Sequence, residues 1–249
     1  MRTTRGAGPH RLGARPAEHL VRQGSRAIRV AHLRSRHRPV VISPVSGAPL
    51  PTADAVRRVV ADLLATGHSC VVTPALDRRE REPFLAAGGT VVDELHLLSR
   101  SLELAIDHPA APATRRARRR DWGPVEALDE RAFDAFWHFG ADELADAIAA
   151  TPAARFRVVG SEQPWGYAVC GRAGNEGFVQ RLAVDPARQG SGVGSALLLD
   201  GLRWLRRRGA RRALVNTQRV NERALALYRR HGFELEPSGL SVVGFPGPV

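Results

Sequence analysis

From residue 26 onward the chain alternates short apolar runs with amphipathic stretches, a pattern that predicts an α/β fold. Ile28, Val30 and Leu33, then Val40-Val41-Ile42, read as strands. Val56, Val59, Val60, Leu63 and Leu64 recur at the spacing of one helix face, with Thr52 or Asp54 placed to cap it and Gly67 to end it. Cys70-Val71-Val72 predicts a short strand, and residues 79–87 a short helix stopped by Gly88-Gly89. Val91-Val92 and residues 95–98 predict a strand pair. Further on, Val125, Leu128, Ala132, Phe133 and Phe136 share a helix face over residues 125–136, and residues 142–150 predict a second helix. Residues 156–159 and 166–170 read as strands, as does the run Phe178 to Val184, which Asp185-Pro186 break. A glycine loop follows, Gln189-Gly190-Ser191-Gly192-Val193-Gly194. It opens a helix to Arg208 with Leu197, Gly201, Trp204 and Leu205 on its apolar face. Ala213-Leu214-Val215 predicts a strand, and Asn221, Ala224, Leu227 and Tyr228 a helix before Gly232-Phe233. Residues 234–235 and 240–245 can close the sheet as a hairpin.

Composition divides the chain. Residues 1–25 are rich in Arg, Gly and Pro without apolar period, which predicts a disordered or loosely ordered tail. Residues 26–108 form a small α/β domain. Pro109, Pro112 and the arginines from Arg115 to Arg120 mark the boundary to a second domain over residues 112–249. A faint repeat links the two: a shift of 144 lays Thr73 on Thr217, Phe84 on Tyr228 and Gly88 on Gly232. The first copy has prolines where the second has its glycine loop, and Phe84 lacks a hydroxyl. If the repeat is real, the first copy has lost ligand binding and chemistry. Chance similarity of two α/β segments is the other reading.

The net charge of +12 points toward nucleic acid, but residues 1–40 alone supply +9 of it, ten arginines against Glu18. All 37 basic residues are arginine, as a GC-rich coding sequence would produce. A solvated basic tail is the favoured reading. Nucleic-acid binding through it is not favoured, since no aromatic stacks within residues 1–40. No run of 18 apolar residues predicts a membrane span, no apolar block follows the basic N-terminus, and Cys70 and Cys170 lack metal spacing. The nine histidines lack it too. A cytoplasmic location and no metal are expected.

The glycine loop lets main chain approach a ligand, and the helix behind it offers unpaired N–H groups and a positive dipole end to an anion. Without lysine it is no nucleotide-triphosphate loop, and its glycine spacing is wrong for a dinucleotide fold.

Gln189-x-x-Gly192-x-Gly194 resembles the acetyl-CoA signature of the GNAT superfamily of N-acetyltransferases. Leu182-Ala183-Val184-Asp185-Pro186 before it, and Asn221-x-x-Ala224-x-x-Leu227-Tyr228 with Gly232-Phe233 after it, match as well. The closest likeness is to the ribosomal-protein alanine N-acetyltransferase branch, over residues 112–249. The resemblance implies a mixed central sheet with flanking helices and a splayed strand pair, preceded here by a smaller α/β part resembling at most a degenerate half of that fold. It implies that the backbone N–H groups from Gln189 through Gly190, Ser191, Gly192, Val193 and Gly194 to Ser195 hold the CoA pyrophosphate. Leu182, Ala183 and Val184 would bond the pantetheine and polarise the thioester carbonyl, and Asn221 would contact the cofactor. Tyr228 would also line that site and protonate the departing thiolate. The implied activity is acetyl-CoA-dependent transfer to a primary amine, foremost a protein or peptide N-terminus. The alternatives are a small-molecule amine, or a weakly catalytic acyl-CoA-binding module whose basic tail holds a partner. The sequence departs from the family at the base: Gln180 and Asn216 stand where a carboxylate would serve, while Asp185 and Glu176 read as loop charges. Trp137, His138 and Trp165 are candidates to line the acceptor pocket.

Overall fold

The computed structural model describes residues 18–31, 39–45, 47–103, 106, 112–134 and 136–246. Its first half runs β1 (Glu18–Gln23), β2 (Arg26–Ala31), β3 (Val40–Pro44), α1 (Ala53–Ala65), β4 (Cys70–Val72), α2 (Arg78–Ala86) and β5 (Thr90–Ser101). The second half runs β6 (Thr114–Arg116), α3 (Trp122–Ala132), α4 (Ala141–Ala149), β7 (Ala153–Val159), β8 (Gly166–Ala173) and β9 (Glu176–Val184). It continues through α5 (Val193–Arg207), β10 (Arg212–Gln218), α6 (Glu222–Arg230), β11 (Glu234–Leu235) and β12 (Leu240–Pro246). Thr52 caps α1, its side chain accepting from Ala55 N, and Asp77 and Glu80 close a reciprocal cap on α2.

All the strands join one mixed sheet in the order β1-β2-β3-β4-β12-β5-β10-β9-β8-β7-β6, with β11 also on β5. The two halves share a plan. β2–β3 is antiparallel and β3–α1–β4 a parallel crossover, as β8–β9 is antiparallel and β9–α5–β10 parallel. They also trade strands. β12 lies between β4 and β5, so Val243 and Phe245 complete the apolar core of the first half. β5 in turn pairs with β10, so Leu98 and Leu102 complete the core beneath α5 and α6.

This exchange corrects two expectations. Residues 90–101 form one strand rather than a pair, because one end of β5 pairs with β12 and the other with β10. Residues 234–235 and 240–246 form no hairpin with each other; both lie on β5, whose insertion separates them from β10. The loose tail expected over residues 1–25 is cut short, since β1 pairs with β2 and Val21 packs on the first core. Residues 1–17, with most of the tail arginines and the nucleic-acid reading placed on them, lie outside the described residues, as do residues 107–111 of the boundary. The helix expected over residues 125–136 ends at Ala132.

The middle of α5 packs close on β8. A Cβ on Gly201 would lie 2.4 Å from Cys170 Sγ, in a buried position. Burial pushes that thiol up to about 12, with the Asp200 charge adding to the rise and Arg155 opposing it, so Cys170 is a packing group. Gly201→Ala should lower stability by ~1–3 kcal/mol, outweighing the ~1 kcal/mol that alanine gains over glycine in a helix. Denaturant midpoints check this, and Cys170→Ala in the same chain should recover part of the loss. An unchanged midpoint in the single variant would count against the clash.

Candidate functional site

β9 and β10 pair only from Arg212↔Glu176 to Leu214↔Phe178 and diverge beyond. A β-bulge assists the divergence: Val169 pairs with Arg181 and Cys170 with Val179, leaving Gln180 as the extra residue. The gap is the mouth of a cleft of about 930 Å³. Gln180 to Val184 line one side, Val215 to Gln218 the other, and Asn221, Leu227 and Tyr228 lie along it.

At one end stands the start of α5. Gly190 and Gly192 take φ of +82° and +84°, left-handed values that favour glycine, and no side chain caps the helix. The first-turn N–H groups have no intrahelical partner. Arg223 and Arg230 also line the cleft, and the Arg223 guanidinium donates to Gln189 Oε1. Uncapped helix end, glycine turn and arginines together suit a phosphate-bearing ligand.

Ten of the twelve residues named from the sequence line this cleft: Leu182, Ala183, Val184, Gln189, Gly190, Gly192, Gly194, Ser195, Asn221 and Tyr228. Ser191 and Val193 do not. The Ser191 hydroxyl donates back to Arg188 O, and Val193 is buried against Val159, Ala168 and Leu197. Ser195 Oγ is 2.8 Å from His231 Nε2. The Asn221 side chain caps α6, its Oδ1 accepting from Ala224 N at 3.0 Å. Tyr228 is 5% exposed, with its ring 5.7 Å from that of Phe233. Burial raises its hydroxyl well above the ordinary phenol value; the nearby Cys170 adds to the rise and Arg181 opposes it.

The wall facing α3 rests on a buried charge pair that the sequence reading missed. Asp129 accepts from Arg181 Nε at 2.8 Å and Nη2 at 2.5 Å, and from the Tyr167 hydroxyl. The guanidinium lies between Phe133 and Phe139, 3.5 and 3.9 Å from their ring centroids, and donates to Trp137 O at 2.8 Å. This packing stops α3 at Ala132: Phe133 turns to the arginine instead of extending the helix face. An arginine inside the apolar run 178–184 was the available signal.

Trp137 lines the cleft. Trp165 instead carries the Arg188 guanidinium 4.7 Å from its ring centroid, and neither Trp165 nor His138 is among the described lining residues. No Asp or Glu is among them either. Asp185 is held by Arg131 at 2.8 Å, which with the Ala187 N–H keeps its carboxyl below the usual range, and Glu176 lies 3.9 Å from Arg212. Among the described residues no group of three or more His, Cys, Asp and Glu could hold a metal ion, and no helix is long and apolar enough to cross a membrane.

Residues 114–233 match the model of the acetyltransferase (GNAT) family. The chain carries a GNAT acetyltransferase domain, with the mixed sheet, flanking helices and splayed strand pair of that fold. Among curated proteins it is similar to the mycothiol acetyltransferase of Amycolatopsis mediterranei, 37% identical over 129 residues, or 47% of this chain and 40% of the relative. The match thus spans well under half the length of that relative. Among solved structures it resembles a tandem GNAT protein from the clavulanic acid biosynthesis pathway (16% identity, TM-score 0.65, 95% of this chain and 85% of that one). The ribosomal-protein-S18-alanine N-acetyltransferase of Escherichia coli is also among the similar folds (18% identity, TM-score 0.45, 55% of this chain and 94% of that one).

Proposed function

We propose that the chain transfers the acetyl group of acetyl-CoA to the primary amine of a small molecule. The observation that carries this is the splay of β9 from β10, which opens the cleft between the uncapped start of α5 and Tyr228. In this reading the N–H groups from Gln189 to Ser195 hold the pyrophosphate. The β9 backbone from Leu182 to Val184, freed from pairing with β10, bonds the pantetheine and polarises the thioester carbonyl. The amine nitrogen attacks the carbonyl carbon, the carbon–sulfur bond breaks, and Tyr228 gives its proton to the thiolate. The relative named mycothiol acetyltransferase favours a small acceptor over the protein N-terminus expected from the sequence.

With no carboxylate among the described residues of the cleft wall, the acceptor must shed its proton to water. That favours an amine of pKa near ~8, such as an α-amine, over a lysine-like one near ~10.4. The test is release of CoA thiol from acetyl-CoA over a panel of amines and short peptides. The rate on a good acceptor should rise with pH up to the acceptor's own pKa; a profile flat from about pH 6 to 9 would contradict unassisted deprotonation. CoA binding without turnover on any amine would mark a binding module instead. Two free cysteines, Cys70 and Cys170, accord with a cytoplasmic setting.

A further inference from the structure

Resting on that reading, the first half of the chain contributes to acceptor selection. β5 brings Asp93 to the rim of the cleft, beside its lining residues rather than among them. Side chains alternate along a strand, so Asp93 faces the same side as Leu95, which lines the cleft. Asp93 Oδ2 accepts from Trp137 Nε1 at 2.9 Å and from Gln218 Nε2 at 2.7 Å, and both donors belong to cleft-lining residues. Among the described residues Oδ1 accepts only the Glu94 N–H, at 2.7 Å. Among the described residues Asp93 has no cationic partner, whereas the neighbouring Glu94 is paired with Arg219 at 2.7 Å. A half-buried carboxylate bonded by neutral donors alone keeps an unmatched negative charge and spare acceptor capacity on Oδ1.

Geometry separates this end from the reacting centre. Asn216 pairs with Leu97 and Gln218 with Leu95, so Asp93 lies beyond the end of β10, past the splay. It stands on the strand face that Leu95, Trp137 and Gln218 share, while Val215 and Tyr228 belong to the core beneath α5 and α6. A group here meets the part of the acceptor that does not react.

We infer that Asp93 anchors the acceptor by taking hydrogen-bond donors, an ammonium or hydroxyls, on its non-reacting part. Because Asp93 comes from the exchanged strand, acceptor choice depends on the half that lacks a glycine loop. It is a specificity residue, outside the acyl-transfer step.

The experiment compares kcat/KM for norvalinamide, 5-hydroxynorvalinamide and ornithinamide in the full chain, amines of one length whose α-amino groups all lie near the favoured ~8. The wild type should prefer the two donor-bearing amides over norvalinamide by roughly 10-fold to 100-fold, the span of a charge-assisted hydrogen bond. Asp93→Ala should bring all three near parity, with the KM for acetyl-CoA unchanged. Asp93→Asn, of the same shape, should lose the ornithinamide preference most if an ammonium is the natural donor, and the 5-hydroxynorvalinamide preference equally if hydroxyls are. A wild type without preference, or a preference that survives in both variants, overturns the inference while leaving acetyl transfer standing. A fall in acetyl-CoA affinity equal to the loss for acceptor marks a structural role and overturns it as well. No turnover on any amine by the wild type overturns the acyl-transfer reading and the anchor with it.

Discussion

Tyr228→Phe is expected to lower turnover on any amine acceptor ~10²–10⁴-fold, the range for loss of one general acid, while acetyl-CoA still binds. The hydroxyl is the only group removed, and the ring keeps its contact with Phe233 and its place in the core beneath α5 and α6. Burial holds the phenol above its ordinary value, so it stays protonated across the working range and the wild type should show no alkaline fall in rate from this group. A buried phenol is a weak acid in its ground state. It donates usefully only as the carbon–sulfur bond breaks and charge develops on sulfur. The KM for acetyl-CoA, read beside the rate of thiol release, separates the two contributions. If the phenylalanine variant turned over at the wild-type rate, Tyr228 would be a packing residue and the thiolate would leave unprotonated.

Asp129→Ala is expected to cost ~3–5 kcal/mol of folding stability, because it strands the buried Arg181 guanidinium without its counter-ion. The damage should not stay local. Asp129 also accepts from Phe139 N at 2.5 Å, and Arg181 holds Trp137 O, so the pair pins the segment from Phe133 to Phe139 that walls the cleft. A large drop in denaturant midpoint is therefore expected, with weakened acceptor use in whatever folded protein remains. Replacing both charges by apolar residues of like volume should be milder than removing one. A single variant as stable as the wild type would show that the guanidinium reaches water, and would remove the pair from the account of this wall.

The lining of the cleft near the glycine loop was legible because its determinants are close in sequence. Asp185-Pro186, the left-handed glycines and the α6 face carrying Asn221 and Tyr228 are local patterns. The wall toward α3 and β5 was not, because its determinants are distant pairings. Asp93 and Glu94 look like a break in an apolar strand. Their partners, Gln218 and Arg219, lie 125 residues away, and with them the strand runs through unbroken. Phe133 fits a helix face by spacing, yet serves a guanidinium contributed by β9. The plan of the first half was visible as a repeat with a shift of 144, but repetition says nothing about which half supplies each strand.

The traded strands bear on how the chain comes off the ribosome. The first half is made first, but its core waits for Val243 and Phe245, which emerge only after β6 to β11 have been made. Until then the inner edge of β4 is unpaired and the core beneath α1 and α2 lacks two of its members. Two halves that look like separable modules in sequence thus become a single folding event, rich in distant contacts and slow to nucleate. A nascent chain stalled anywhere before β12 presents an open sheet edge to chaperones, not a finished first domain.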